Sequence, residues 1–445
     1  MTGIDRRGAI GIIGGGAALA ASTSPMRAAI ARRAPFLWGA ATAGHQIEGN
    51  NVNADIWLLE QVTPTVFAEP SGDACDSLHR WREDVAIVKA LGLNCYRFSV
   101  EWPRIEPAKG QFSRAYLDHY RAIVDHCRDQ GLAPVVTLNH FTTPRWFAAA
   151  GGWEQKDAAD LFGRYADRVA RAMAHGISHA LTFNEPNLAL GEKWAEKPVP
   201  PPFRKLMADS VAAAARASGS DRFSVLNAGD PAPMIPGVTA AHVQARAAIK
   251  AVRGDLPVGF SLALMDDQAV GAHSVRDAMR KQLYGNWLEI AKGDDFIGVQ
   301  TYTRTTSRKD GSTGPQEGHP VTVMGYEDRP QALAEVCRYV WQRTGTPILV
   351  TENGFSGDDD ARRAAFVGES LDNLQRATAE GVAVLGYCYW SLLDNYEWMA
   401  GYGPKFGIVA VDRTTQRRTI KPSALAYGAI ARANAIVAAA PRSAT

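Results

Sequence analysis

ALTFNE, residues 180–185, is a short apolar run that stops on an amide and a carboxylate. A run of this kind reads as a strand buried on both faces, with chemistry at its C-terminal end. Seven more runs of similar length recur: FLWGAATA (36–43), CYRFSV (95–100), APVVTLN (133–139), VGFSLAL (258–264), FIGVQTY (296–302), PILVTE (347–352) and AVLGYCYW (383–390). Between most of them lie amphipathic stretches such as REDVAIVKALG (82–92) and LDHYRAIVDHCRDQG (117–131). Their apolar residues return every three or four positions, as a helix covering a sheet requires. Strands alternating with helices predict an α/β fold with a parallel sheet. Eight such units predict a closed (β/α)8 barrel, a TIM barrel, rather than an open sheet. No Pro/Ser-rich linker divides the chain, and KPVPPPF (197–203) reads as a long loop. The expectation is an export segment over 1–30 and one barrel over 31–445.

The chain has 445 residues, with 48 Lys+Arg against 46 Asp+Glu and a formal net charge of +2. Such a balance generates no field able to hold nucleic acid or an anionic membrane, so neither partner is expected. Five cysteines (Cys75, Cys95, Cys127, Cys337, Cys388) form no Cys-x-x-Cys pair, and their odd number excludes complete internal pairing. Cys95 and Cys388 sit in apolar runs and are expected to be buried thiols. The 11 Trp and 13 Tyr suit either a packed core or a sugar site.

Arg6-Arg7 precede the apolar Gly/Ala run GAIGIIGGGAALAAS, and no acid occurs from Arg6 to Ile47. A charged start followed by a short apolar stretch and small residues predicts a cleaved export signal, here similar to the twin-arginine type. The run is too short and Gly-rich for a membrane span. Gly14-Gly15-Gly16 is a poor dinucleotide fingerprint, because Leu19 stands where its third glycine belongs. Loss of residues 1–28 would remove one acid and three bases and bring the net charge to about zero.

Barrel enzymes work at the C-terminal ends of their strands. Here those ends carry Gln46 and Glu48, Arg97, Asn139-His140, Asn184-Glu185, Tyr302, Glu352-Asn353 and Trp390. Polar groups are costly at the ends of apolar strands unless they have partners; so many converging on one mouth favour an active site. Glu185 and Glu352 end strands on different sides of the barrel. Opposed carboxylates suit cleavage of a glycosidic bond, one protonating the leaving oxygen and the other meeting the oxocarbenium-like carbon.

Several longer blocks carry a resemblance. FLWGAATAGHQIEGN (36–50), DACDSLHRWREDVAIVKALGLNCYRFSVEWPRIEP (73–107), TFNEPN (182–187), ILVTENG (348–354) and GYCYWSLLDNYEWMAGYGPKFGIVAVD (386–412) resemble glycoside hydrolase family 1, the β-glucosidase family of retaining enzymes. The resemblance implies a (β/α)8 barrel and two-step hydrolysis of a small-molecule β-glycoside without metal or organic cofactor. It makes Glu185 the acid/base and Glu352 the nucleophile, with Arg97 and Tyr302 favouring the charged form of Glu352. It makes Gln46, His140, Asn184, Glu397 and Trp398 the hydroxyl-binding set and Trp390 the stacking platform, with Asn184 toward the 2-hydroxyl. Glu397 would repel a phosphate, so a non-phosphorylated sugar is implied.

The chain also departs from the pattern. Phe141 replaces the usual Trp, Gln300 the usual Asn, and Glu101 a common Ser; Glu101 is expected to hold a loop. The match is poor from Leu188 to Asp295, which suggests a shorter rim and a more open mouth. His175 and His179 are four apart, but HGISH lacks a zinc-site glutamate and contains Gly176, so no metal is expected. The pairs Arg362-Arg363 and Arg417-Arg418 read as solvated surface, and the alanines of 211–217 as plain helix. Two alternatives stay open at this level: a transglycosidase using the same residues, and a glycan-binding protein without turnover.

Overall fold

A computed structural model describes residues 35–194 and 200–434. Eight parallel strands close a barrel: β1 (Leu37–Ala41), β2 (Cys95–Ser99), β3 (Ala133–Asn139), β4 (His179–Asn184), β5 (Val258–Ala263), β6 (Ile297–Gln300), β7 (Ile348–Asn353) and β8 (Val384–Trp390). Each pairs with its neighbours in sequence, and β1 meets β8 through Leu37–Gly386 to Ala41–Trp390. All eight expected runs are strands, their ends displaced by two residues at most. All six residues of β7 are buried, which is why an unbroken apolar run rather than an alternating one marks a strand here.

Among the described residues, each strand is followed by a helix on the outside of the barrel: α1 (Ser77–Ala90), α2 (Arg114–Asp129), α3 (Ala158–Met173), α4 (Ile235–Val252), α5 (Asn286–Ala291), α6 (Ala332–Thr344), α7 (Asp360–Ala379) and α8 (Pro422–Ala433), with further helices in the connections. Helix α2 shows how the sequence builds them. Its Ser113 side chain accepts from the backbone of Tyr116 and caps the first turn. Tyr120, Ile123, Val124 and Cys127 then fall on one buried face. Between α3 and β4 sits an aromatic cluster of Trp102, Trp153, Phe162 and Phe183, with Phe162 and Phe183 ring centroids 4.7 Å apart. Truncating one such ring to alanine costs about 3–5 kcal/mol, so this wall holds the Glu185 end of β4 firmly.

Several details differ from the sequence reading. The Pro-rich segment is not all loop: Pro201 opens a helix to Ala217, because proline at the first helical position loses no hydrogen bond and has its φ preset. Residues 197–199 of that segment lie outside the described residues, as does the expected export signal. Arg363 and Arg418 are buried, not solvated. Arg418 donates to Asp84 at 3.0 Å, and Arg363 donates to Asp360 at 2.5 Å and to the Lys405 carbonyl at 3.0 Å. All five cysteines are free and buried, with the Cys95 and Cys388 sulfurs 3.9 Å apart. A small sheet of Asp266–Ala269, Arg304–Ser307 and Thr313–Gly314 follows the ends of β5 and β6. Its strands are polar and short and give no periodic signal. Among the described residues, no helix is long and apolar enough to cross a membrane.

Candidate active site

The mouth is organised around two charges. Arg97 lies in β2, fully buried, and its guanidinium spans the barrel. Nη1 donates to Glu352 Oε1 at 2.5 Å, and Nη2 to Asn184 Oδ1 at 2.6 Å. Glu352, in β7, takes two more donors: the Tyr302 hydroxyl on Oε2 at 2.6 Å and the Gln300 amide on Oε1 at 2.8 Å. Burial raises its pKa above the usual carboxylate value, and Arg97, Tyr302 and Gln300 all oppose that rise by favouring the anion.

Glu185 is built differently. It follows the last residue of β4 with φ at +44°, a left-handed conformation that is uncommon for a residue other than glycine and is found where structure over-determines it. Its backbone N–H donates to the Ser261 carbonyl at 2.9 Å, which ties the turn to β5. Burial pushes its pKa well above the ordinary range, and the Glu352 charge pushes it further, against a weaker opposing pull from Arg97. Two carboxylates whose charges act on each other titrate as a pair. The one with three donors ionises first, and Glu185 keeps the proton.

The remaining expected residues surround this pair. Gln46 lies in the short helix Gly44–Ile47 after β1 and donates to the Tyr396 carbonyl at 2.6 Å. His140, just past β3, stacks on Trp390 at 5.7 Å and on Trp398 at 6.3 Å, the planes within 16°. Burial, aided by Arg97, holds its pKa well below 6.5, so the imidazole is neutral. Glu397 is buried, and its pKa is raised by burial and then by the charge on Glu352; hydrogen bonds with Trp390 and Gln46 pull the other way. Gln46 Oε1, His140 Nδ1, Asn184 Nδ2 and Glu397 Oε1 are all buried without a protein partner. Each such atom costs about 1–3 kcal/mol if it stays unpaired. Donors and acceptors converging beside indole rings are what a pyranose offers partners for: a ring of hydroxyls around apolar C–H faces.

The family model of glycosyl hydrolase family 1 matches residues 30–225 and 286–436. The chain belongs to glycosyl hydrolase family 1. It is 30% identical to β-glucosidase A of Thermotoga maritima, over 90% of this chain and 98% of that one. Thermostable β-glucosidase B of Thermobispora bispora is 32% identical, with 90% of each covered. Among solved structures, the apo form of β-glucosidase 1317 superposes with a TM-score of 0.86 at 45% identity, covering 89% of this chain and 98% of that one. The Thermotoga maritima enzyme in complex with deoxynojirimycin gives 0.76 at 26% identity, covering 90% and 98%.

The family 1 framework explains several local choices. In the TENG block, a Cβ on Gly354 would lie 1.9 Å from the Trp390 carbonyl, so only glycine lets β7 and β8 come this close at the mouth. Phe141 packs edge-on against Trp398 at 5.4 Å, with φ at +73°. Glu101 does hold loops: it accepts from Asn51 at 2.8 Å, Thr142 at 2.6 Å and Ser99 at 3.0 Å. The gap in the family match, 226–285, falls within the poorly matching stretch noted in the sequence, yet β5 forms there. His179 begins β4, whereas His175 lies in the turn before it and meets Asp125 at 3.1 Å, so the two do not share a helix. No group of three or more His, Cys, Asp or Glu able to hold a metal occurs among the described residues.

Two features of the site escape a reading of motifs. One is Gln300, visible in sequence only as a departure, which sits on the nucleophile candidate. The other is the fully buried pair of His45 and Glu60, 2.8 Å apart, with the His45 ring stacked parallel to Trp398 at 5.4 Å. His45 precedes Gln46, which was the only available signal.

Proposed function

We propose that this family 1 protein hydrolyses non-phosphorylated β-glucosides from the non-reducing end with retention, Glu352 serving as nucleophile and Glu185 as acid/base. The observation that carries the assignment is the contrast between the two carboxyls: Glu352 accepts three hydrogen bonds, one from a guanidinium, whereas Glu185 is buried beside that negative charge. In the first step a Glu352 oxygen bonds to the anomeric carbon as the bond to the aglycone oxygen breaks, and the Glu185 proton passes to that oxygen. The Glu352 charge is then consumed in an ester. Its loss lowers the proton affinity of Glu185, which takes a proton from water while the water oxygen attacks the same carbon and releases Glu352. Two inversions restore the starting configuration.

The sugar is read by Gln46, His140, Asn184, Glu397 and Trp398, with Trp390 beneath it. Neither the Glu397 carboxyl nor a neutral His140 offers a positive charge to a phosphate, and both suit uncharged hydroxyls. The residues of this mouth supply acid, base and nucleophile by themselves, so the reaction calls for no metal or cofactor. Early-time NMR of an aryl β-glucoside digest tests the reading: β-glucose appears first, and α-glucose as first product would refute it. Export is part of the same proposal and rests on the Arg6-Arg7 segment. Fractionating a host that expresses the full chain, with Arg6 and Arg7 intact or both changed to Lys, tests it; equal retention of both forms in the cytoplasm would refute it.

A further inference from the structure

We propose that Gln300 is a positioning residue that ties the nucleophile to the group reading the sugar 2-hydroxyl, so that the two act as one rigid unit. Gln300 ends β6, pairs in register with Glu352 on β7 and with Ala263 on β5, and is buried. Its Nε2 carries two hydrogens and faces three acceptors: Glu352 Oε1 and Asn184 Oδ1, each at 2.8 Å, and Ser261 Oγ at 3.1 Å. The two shorter contacts take the two hydrogens. Arg97 bridges the same two oxygens, so a guanidinium and an amide clamp Glu352 to Asn184 twice.

The orientation of this amide is forced. Turned over, Gln300 would set its oxygen against a carboxylate oxygen and an amide oxygen, neither of which can donate. Asn184 is oriented in consequence. Its Oδ1 accepts from Arg97, Gln300 and, at 3.3 Å, Ser261, which leaves Nδ2 buried without a partner. Given the hydrolase reading above, on which this inference rests, Nδ2 is the donor available to the 2-hydroxyl. A hydrogen bond there strengthens in the transition state, and only while Asn184 is held still relative to Glu352. The extra methylene of Gln over Asn decides the reach: an asparagine at 300 would withdraw the amide by about 1.5 Å, beyond hydrogen-bond distance from both oxygens.

The test compares kcat/KM for an aryl β-glucoside and its 2-deoxy analogue in the unchanged enzyme, Gln300→Leu and Gln300→Asn. Both variants should lower the glucoside rate more than the 2-deoxyglucoside rate, so that the ratio of the two falls about tenfold, the weight of one hydrogen bond. The acid limb of the kcat/KM profile should also move to higher pH, because Glu352 loses a donor that favours its anion. Equal losses on the two substrates with an unmoved acid limb would overturn the proposal in favour of a packing role. A moved acid limb with an unchanged ratio would also overturn it, since the link to Asn184 would be absent. If Gln300→Leu does not fold, Gln300→Asn keeps a polar side chain of the same chemistry and carries the comparison alone. Failure of the unchanged enzyme to cleave either glycoside would instead strike the hydrolase reading, a result distinct from an unaltered ratio in the variants.

Discussion

The two sides of the barrel mouth hold the same functional group in opposite ways. On the side of β2, β6 and β7, Glu352 sits in a fan of donors from Arg97, Gln300 and Tyr302. On the side of β4, Glu185 itself takes a left-handed conformation, with burial and a neighbouring negative charge acting on it. One carboxyl is stabilised as an anion and the other as an acid. Identical side chains therefore take different parts because the strands around them deliver different partners, and moving a partner should change the part.

The largest effect is expected from removing the nucleophile. Glu352→Gln should bring turnover close to the detection limit while circular dichroism and thermal unfolding stay near those of the unchanged protein; retained turnover would break the contrast at once. Next comes Glu185→Gln. Substrates with poor leaving groups should lose roughly 10²–10⁴-fold, and an activated aryl glycoside much less in its first step, because a good leaving group needs little protonation. Equal losses on both would contradict the acid role.

The pH profile sharpens the same comparison. Activity needs Glu352 ionised and Glu185 protonated, so kcat/KM should rise with pH through the lower step of the coupled pair and fall through the upper one. In Glu185→Gln the falling limb should vanish, since the group that loses its proton there is gone. A smaller shift is expected for Tyr302→Phe. Losing one donor raises the pKa of Glu352, so the rising limb should move to higher pH while the falling limb stays. Movement to lower pH would mean that the hydroxyl does not stabilise the anion. The smallest effect belongs to metal removal: dialysis against EDTA should leave kcat unchanged, and a loss restored by added divalent ion would reveal a metal dependence.

Which parts were legible in sequence follows from how far apart the partners lie. The barrel was readable because each buried strand announces itself within four to seven consecutive residues, as ILVTEN does. The candidate site was readable because barrel chemistry gathers at strand ends: Asn184 and Trp390 are the last residues of their strands, and Glu185 follows Asn184. The buried arginines were not. Arg418 meets Asp84 across 334 positions, and a basic pair in sequence looks the same whether water or a distant carboxylate will receive it. Gln300 is a similar case: its meaning depends on three oxygens from β4, β5 and β7 that only closure of the barrel brings together. The rim strands after β5 and β6 stayed hidden because DDQA and RTTS are polar and too short for a period.

The central claim is that Glu352 bonds to the sugar while Glu185 handles the proton. An activated 2-deoxy-2-fluoroglucoside measures it directly: fluorine at C2 disfavours the positively charged transition state of both steps, and a good leaving group lets the first proceed while the second stalls. Mass spectrometry of the digested protein should find the fluorosugar on the peptide containing Glu352, with activity returning as the adduct turns over. An adduct on Glu185 or elsewhere, or inactivation without any adduct, would contradict the account.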